Sequence, residues 1–591
     1  MSMATDSGMQ VAGPREGLSA PGLRVSVGQY SDRGQKPCNQ DFAGYRLPPE
    51  PRLSLKGLAF AMADGVSSSD VSQIASETAV TSFLDDYFCT SEAWSVRSAA
   101  EKVLAATNAW LYGQNRRGPY RYERHKGYVC TLSALVLKAA TAHLVHVGDT
   151  RIYRLQEAGL EQLTHDHRLW MDHGRSCLSR ALGAEALVEI DYQALPLKEG
   201  DTFILATDGV YEHIPTGELV ACIQSQQADL DNAARCLVRE ALARGSDDNL
   251  SIQIIRVDAL PKQPALPLQQ EIDRLPLPPL LEPGQSLDGY TVVRALHASS
   301  RSHVYLAVDE VSGCQLVLKL PSTDLRDEDG YLERLLMEEW IARRVNGGHV
   351  VKAAPRSRER NYLYTVSEYV EGQTLAQWLK DHPKPELETV RNLLEQVAKG
   401  LYTLHRMEIL HQDIRPENLM IDTRGTVKIL DFGSARVAGI AEASVMTSRS
   451  DRPGTALYMA PEYFLGEVGT TRSDLYSLGV LAYHLLSGRF PYGNQVARTR
   501  TAADQRRLVY RSVLDDERAI PVWVDETLRR AVHPNPDRRY QELSEFIHDL
   551  RSPNSAYLNK TRPPLIERHP VRFWQGVAAV LAIVVVLLLN Q

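Results

Sequence analysis

Asp413, Asn418 and Asp431 are residues whose types and spacing suit phosphoryl transfer. The first two lie in the polar cluster HQDIRPEN, from His411 to Asn418, and the third opens Asp431-Phe432-Gly433. One carboxylate can orient and deprotonate a hydroxyl, while an amide and a second carboxylate hold Mg²⁺ against phosphate oxygens. The flanking chain must position them. Upstream, Val390, Leu393, Leu394, Val397, Leu401 and Leu404 recur at helical spacing between Glu388 and Arg406, and downstream Val427 to Leu430 reads as a short buried strand. The cluster is therefore expected on a loop between helix and strand.

Carboxylates of another kind punctuate the first 258 residues. Ala63-Asp64-Gly65 closes one strand-like run, Gly148-Asp149-Thr150 reads as a hairpin turn, Thr207-Asp208-Gly209 closes another run, and Asp247-Asp248-Asn249 precedes the last. Asn39-Gln40-Asp41 adds a further acid. A single Asp at a strand end is ordinary turn chemistry. Four in one region could converge on one edge of a sheet, where hard oxygen ligands without His or Cys suit Mg²⁺ or Mn²⁺. Two such ions can clamp a phosphate and supply a nucleophile for in-line attack.

The elements carrying these acids are strand-like runs at Leu58 to Ala63, Leu132 to Leu137, His143 to Val147, Ile152 to Leu155, Phe203 to Thr207 and Ile252 to Val257. Helical patterns occupy Ser68 to Tyr87 and Trp94 to Tyr112. Sheet with amphipathic helices implies a layered α+β domain.

Taken in order, SDRGQKPCNQD, ADG, VGDTRIY, LTHDH, LSRALG, ATDGV and SDDNLSI resemble the metal-dependent type 2C Ser/Thr protein phosphatases over Leu23 to Asp258. The resemblance implies a β-sandwich with flanking helices and a binuclear centre held by Asp64, Asp208 and Asp248, with the Gly65 carbonyl as a further ligand. It also implies Asp41 as a ligand or close neighbour of one, Asp149 in a third ion site, and Lys36 where the family has a phosphate-binding Arg. Lys keeps the charge but loses the bidentate fork. Asp166 and His167 fall among flap residues, and His165 with His167 lacks a third ligand for a metal site of its own.

Tyr290 to Leu550 resembles the eukaryotic-type Ser/Thr protein kinases, through Leu316-Val-Leu-Lys319, Glu338, Ser367 to Val370, the loop at His411, Asp431-Phe432-Gly433, Ala460-Pro461-Glu462, Asp474 and Asn535 to Arg539. That resemblance implies a two-lobe fold. Lys319, paired with Glu338, would hold ATP phosphates; Glu368 and Val370 would lie along the nucleotide; Asp413 would be the base; Asn418 and Asp431 would bind Mg²⁺. Glu462 with Arg539, and Asp474, would be structural anchors. Departures accompany these matches. His297, Ser299 and Ser302 replace three glycines above the phosphates, Val317 replaces a small residue over adenine, Arg415 replaces the loop Lys, and Gln412 replaces an Arg.

At 591 residues the chain is too long for one core. A net charge of −7 argues against nucleic acid as the main partner. Seven scattered cysteines without a CxxC pair suit a reducing compartment and exclude a zinc ribbon. The expected organisation is a loose tail over 1–22, the phosphatase-like domain over 23–258, a proline-rich linker over 259–288, the kinase-like domain over 289–550, a tether over 551–572 and a membrane helix over 573–589. Seven prolines make 259–288 a semi-extended linker able to span on the order of 100 Å. Residues 573–589 carry no charge and follow Arg568 and Arg572, so a single C-terminal span would leave both catalytic domains in the cytoplasm.

The whole is expected to be a multidomain α+β protein, membrane-tethered, with opposed phosphatase and kinase activities on protein Ser/Thr. Phosphoproteins and proteins would be its substrates, ATP with Mg²⁺ and two or three Mn²⁺ or Mg²⁺ ions its cofactors, and one domain could act on the other in cis. Two other readings remain: an active phosphatase regulated by a pseudokinase, and a non-catalytic membrane scaffold.

Overall fold

The computed structural model describes residues 22–589, apart from 124–125, 157–158, 171–175, 262–266, 300–301, 326–327, 329, 357, 443–455, 515–519 and 559–569. The chain divides into two compact units, one built chiefly from residues up to 265 and the other chiefly from residue 266 onward.

Strands of the first unit are β1 (Arg24–Asp32), β2 (Asp41–Arg46), β3 (Leu58–Asp64), β4 (Leu132–Lys138), β5 (Thr141–Val147), β6 (Arg151–Gln156), β7 (Gly159–Gln162), β8 (Arg168–Trp170), β9 (Ser176–Leu178), β10 (Asp191–Pro196), β11 (Thr202–Ala206) and β12 (Leu250–Ala259). They form two sheets, β1-β12-β11-β6-β7 and β10-β5-β4-β3-β2, with β8 and β9 as a separate ribbon. Alternating residues of both sheets meet in one core: Leu58, Phe60 and Met62 of β3 and Leu135 and Leu137 of β4 face Phe203 and Leu205 of β11 and Ile255 and Val257 of β12. Period-two alternation is what lets each sheet bury one face against the other. Phe60 and Phe203 have no exposed surface, and each such burial contributes about 2–3 kcal/mol.

The outer faces are covered by helices. Ile204, Ala206, Ile252 and Ile254 pack against Leu230, Ala233, Ala234, Leu237, Val238 and Ala241 of helix Leu230–Ala243. On the other side helices Ser72–Cys89 and Val96–Arg117 pack together, the first lying over β2 and β3. The result is a helix-sheet-sheet-helix sandwich.

One expectation fails here. Gly148, Asp149 and Thr150 do not make a hairpin, because β5 and β6 belong to different sheets. Gly148 adopts φ of 112°, a conformation glycine reaches without steric cost, and the turn carries the chain from one sheet to the other.

The second unit opens with an antiparallel sheet in chain order: β13 (Ser286–Leu287), β14 (Tyr290–Ala298), β15 (Ser302–Asp309), β16 (Gln315–Pro321) and β17 (Thr365–Glu368). Its core holds Leu287, Val292, Tyr305, Leu318, Leu320 and Val366, and helix Tyr331–Arg344 packs beside it. A helical part follows, with Leu387–His405, Thr471–Ser487, Val522–Ala531 and Leu543–Arg551 around Val390, Leu394, Leu401, Leu481, Leu528 and Phe546. Arg539, wholly buried, places Nη2 2.7 Å from Glu462 Oε2, and Ser473 Oγ donates to Glu462 Oε1 at 2.6 Å.

Within the stretch read as a semi-extended linker, Pro267–Arg274 is helical and packs against Tyr331–Arg344. Leu268 is buried in the core of the second unit, with Ile272, Leu275 and Leu277 half-buried around it. At the C-terminus Pro570–Leu589 forms a helix. Among the described residues, however, no helix is long and apolar enough to cross a membrane, so the expected span over 573–589 has no structural support. The expected tail over 1–22 falls almost entirely outside the described residues.

Candidate active sites

In the first unit the acids gather where strands end. Asp41 opens β2 directly opposite Asp64, the last residue of β3. Asp64 is fixed by its own amide, which donates to Thr131 Oγ1 at 2.9 Å, and by its carbonyl, which accepts from Thr131 N at 2.8 Å. Thr207, the residue before Asp208, donates its hydroxyl to Asp41 Oδ2 at 2.9 Å. Gly209 allows the next approach: a Cβ there would lie 2.1 Å from the carbonyl oxygen of Asn249, so only glycine brings the two Asp-bearing turns together. Asn249 ties the opposite loop down, its Oδ1 accepting from Gln40 N at 2.9 Å and its Nδ2 donating to Arg33 O and Cys38 O at 2.9 and 3.0 Å.

So placed, the carboxylates repel one another in a buried setting. Burial, and then the charges of Asp41, Asp208, Asp149 and Asp248, push Asp64 well above the usual carboxylate range. Burial raises Asp208 to about 7, with Asp149 and Asp248 adding to it, and raises Asp41 to about 6. Oδ1 of Asp41 is buried with no hydrogen-bond partner. Such a cluster is costly without cations, and an all-oxygen donor set fits Mg²⁺ or Mn²⁺. Among the described residues no group of three or more His, Cys, Asp and Glu side chains stands already arranged to hold an ion.

Lys36 Nζ is 3.4 Å from Asp248 Oδ1, so its ammonium stands at the edge of the cluster. Asp149 is met by Arg168, whose Nε is 2.5 Å from Asp149 Oδ2 and whose Nη2 and Nη1 are each 2.7 Å from Asp208 Oδ2 and Glu212 Oε1. Nothing in the sequence singles out Arg168, since an Arg in a polar stretch reads as a solvated charge. His167 is buried, accepts from Gly148 N at Nδ1 and faces Asp191 Oδ2 at 3.1 Å through Nε2. Asp166 is engaged by Arg151 at 2.7 Å.

In the second unit Lys319 of β16 places Nζ 2.6 and 2.7 Å from the two Glu338 oxygens and 3.9 Å from Asp431 Oδ1. Burial opposes the Lys319 ammonium, but Glu338 and Asp431 outweigh it and hold its pKa above the ordinary lysine value. Lys319 in turn holds Asp431 down to about 2. The loop at His411 is suspended from Asp474: His411 N and Gln412 N donate to its two oxygens at 2.9 and 2.8 Å, and His405 Nε2 lies 2.9 Å away. That anchorage sustains positive φ at Gln412, 64°, a conformation of few non-glycine residues.

Asn418 Nδ2 donates to Asp413 Oδ2 and to Asp413 O, both at 2.9 Å, and Leu430 N donates to Asn418 O at 2.8 Å, so the residue before Asp431 is tied to the loop. Arg415 Nε lies 3.7 Å from Asp413 Oδ2. Burial raises the Asp413 pKa against the pull of Arg415. Glu368, expected along the nucleotide, has its carboxylate turned to Lys428 Nζ at 2.7 Å and Lys352 N at 2.9 Å; Val370 is buried. Above them β14 and β15 close without glycine: Ser299 N donates to Ser302 O at 3.1 Å, Ser302 N donates to Ser299 Oγ at 3.2 Å, and His297 is exposed.

Two family models match the chain: the protein phosphatase 2C model over residues 29–244 and the protein kinase domain model over residues 290–555. Among curated proteins the chain is similar to the serine/threonine-protein kinase PrkC of Bacillus subtilis, 27% identical over 285 residues, covering 47% of this chain and 43% of that protein. It is also similar to the serine/threonine-protein kinase PknA of Corynebacterium glutamicum, 34% identical over 268 residues, covering 44% of this chain and 55% of that one. The chain thus spans about half the length of the curated relatives it matches. A solved Mycobacterium tuberculosis serine/threonine phosphatase, PstP/Ppp, aligns with 21% identity and a TM-score of 0.33, covering 40% of this chain and 99% of that one. With the two family models falling on the two units that carry the acid cluster and the Lys319 site, the chain joins a domain of the protein phosphatase 2C family to one of the Ser/Thr protein kinase family.

Proposed function

We propose that the chain is a bifunctional enzyme, a phosphatase within residues 23–258 that hydrolyses protein phosphoserine and phosphothreonine, and a kinase within 289–550 that phosphorylates protein Ser/Thr from ATP. The observation that carries the reading is that each unit holds its own acid machinery: the mutually repelling Asp41, Asp64, Asp208 and Asp248 in one, and Lys319, Glu338, Asp413, Asn418 and Asp431 in the other.

In the phosphatase, Asp64, Asp208 and Asp248, with the Gly65 carbonyl and Asp41, would hold Mn²⁺ or Mg²⁺. Bound there, such ions supply charge for the phosphoryl oxygens and acidify a water. Lys36, at the edge of the cluster, would orient the phosphate as a point charge. In the kinase, Lys319 would hold ATP phosphates with Glu338 fixing its direction, and Asp413 would take the substrate hydroxyl proton. Arg415 lies beside Asp413 to stabilise the charge that develops on transfer. Asn418, whose Nδ2 is committed to Asp413, offers its Oδ1, with Asp431, to Mg²⁺.

A fragment of residues 1–258 should hydrolyse a phosphopeptide with Mn²⁺ or Mg²⁺, and lose the activity on chelation or in Asp208→Ala. Metal-independent or absent hydrolysis would refute this half. The glycine-free turn at His297 to Ser302 favours a second reading, a pseudokinase that regulates the phosphatase; on that reading Asp413→Ala leaves every activity unchanged. The uncharged run over 573–589 supports a further proposal, attachment to a membrane through helix Pro570–Leu589. Deleting 573–591 should then release a sedimenting protein, and a full-length chain that is already soluble would rule the attachment out.

A further inference from the structure

Arg168 is the one cation that reaches the acid cluster of the phosphatase unit from the Asp149 side among the described residues. Its guanidinium meets three acids, Asp149 through Nε, Asp208 through Nη2 and Glu212 through Nη1, at 2.5, 2.7 and 2.7 Å. A guanidinium stays charged at any pH a protein survives and presents donors in a fixed fork. Here the fork is spread over separate carboxylates, as a small cation's charge would be.

The placement is built into the fold. His167, the preceding residue, donates N–H to Gly148 O at 2.8 Å and accepts from Gly148 N at Nδ1, so it is clipped to the residue before Asp149. His167 is held from its other side by Asp191 at 3.1 Å. Asp166, one residue earlier, is bound by Arg151, whose guanidinium lies 3.8 Å from the ring centre of Tyr211. Tyr211 donates its hydroxyl to the Asp149 carbonyl at 3.0 Å. The side chain of Arg168 is only 13% exposed. The two residues before Arg168, and the turn carrying Asp149, are therefore fixed to one another.

We propose that Arg168 takes the place of a third divalent ion at Asp149, so that this phosphatase binds only the ions held by the Asp41, Asp64, Asp208 and Asp248 cluster and gains a further ion when Arg168 is removed. The proposal rests on the metal-dependent reading above, and it replaces the expectation that Asp149 helps to hold a third ion. A further ion between Asp149 and Asp208 would have to displace the permanent positive charge already paired with the facing oxygens, Oδ2 of Asp149 and Oδ2 of Asp208.

The test counts Mn²⁺ bound by the chelator-stripped full chain, without nucleotide, by equilibrium dialysis and elemental analysis. The kinase unit is unchanged throughout, so differences between variants report the phosphatase. Arg168→Gln is expected to bind one Mn²⁺ more per chain than wild type, and Asp149→Asn/Arg168→Gln to return to the wild-type number. Asp149→Asn alone is expected to leave the wild-type number unchanged, which decides the matter should Arg168→Gln fail to fold. Equal counts in folded Arg168→Gln and wild type, or loss of one ion in Asp149→Asn, would overturn the role of Arg168 while leaving the metal-dependent reading in place. Failure of every variant to bind Mn²⁺ would overturn the metal-dependent reading itself, and the proposal with it.

Discussion

A carboxylate with no hydroxyl to attack and no ion to bind can still decide whether a catalytic loop exists, as Asp474 does. It accepts from two consecutive backbone amides and faces His405. Burial works against its ionisation, but these partners outweigh burial and leave its pKa below the usual value. A carboxyl depressed in the folded state stabilises the fold above its unfolded pKa of about 4 and loses that contribution as pH falls through the folded value. Asp474→Asn should therefore lower the melting temperature of the kinase unit at neutral pH, by an amount matching roughly 2–4 kcal/mol, and flatten the acid side of its stability profile. An unchanged acid limb in calorimetry would contradict this role. At this scale the sequence was most legible where residue type and chemistry coincide: Asp64, Asp208, Asp413 and Asp431 were all named from strand-end or loop positions. Arg168, Tyr211 and Asn249 were not assigned a role, because what matters about them is which distant atoms they meet, and spacing along the chain does not carry that.

The strands expected from apolar runs are the inner ones, β3, β4, β5, β6, β11 and β12, together with both long helices of the first unit. Within the two sheets the strands not foreseen, β1, β2, β7 and β10, are the edges. An edge strand buries less, so RVSVGQYSD or DYQALP keeps polar residues that a period-two reading discounts. The misread turn at Gly148 has a related cause, since a short Gly-Asp segment between two strands looks the same whether the strands pair or part. Composition misled in the other direction at Pro267–Arg274, where prolines at its borders hid a helix that starts on Pro267, a position that costs no helical hydrogen bond. Its Leu268 is buried beside Leu335 and Leu336 of the helix that carries Glu338. Leu268→Ala should cost about 2–5 kcal/mol, seen as a lower melting transition of the kinase unit with the phosphatase transition unmoved. Glu271→Ala, which removes a partly exposed pair with Arg356 at 2.9 Å, should cost under about 1 kcal/mol. Equal effects of the two would show that the segment is held by charge and not by burial.

For the whole molecule, the proposed pairing of opposed activities in one chain implies that the net phosphate on the protein would report their balance. Ser444, Thr447, Ser448 and Ser450, the candidate acceptors that follow Asp431 in sequence, lie outside the described residues. If the phosphatase erases what the kinase writes in cis, mass spectrometry of Asp208→Ala should find higher occupancy of these positions than wild type, and the difference should not depend on protein concentration. A difference that grows with concentration would place the dephosphorylation between molecules. The central claim, that both halves are enzymes, is tested most directly by following label from γ-labelled ATP onto wild type, Asp208→Ala and Asp413→Ala in Mg²⁺ and Mn²⁺. The account predicts a label on Asp208→Ala that exceeds wild type, release of labelled inorganic phosphate by wild type, and no label on Asp413→Ala. Label that is absent from all three proteins, or as high on Asp413→Ala as on wild type, would contradict it.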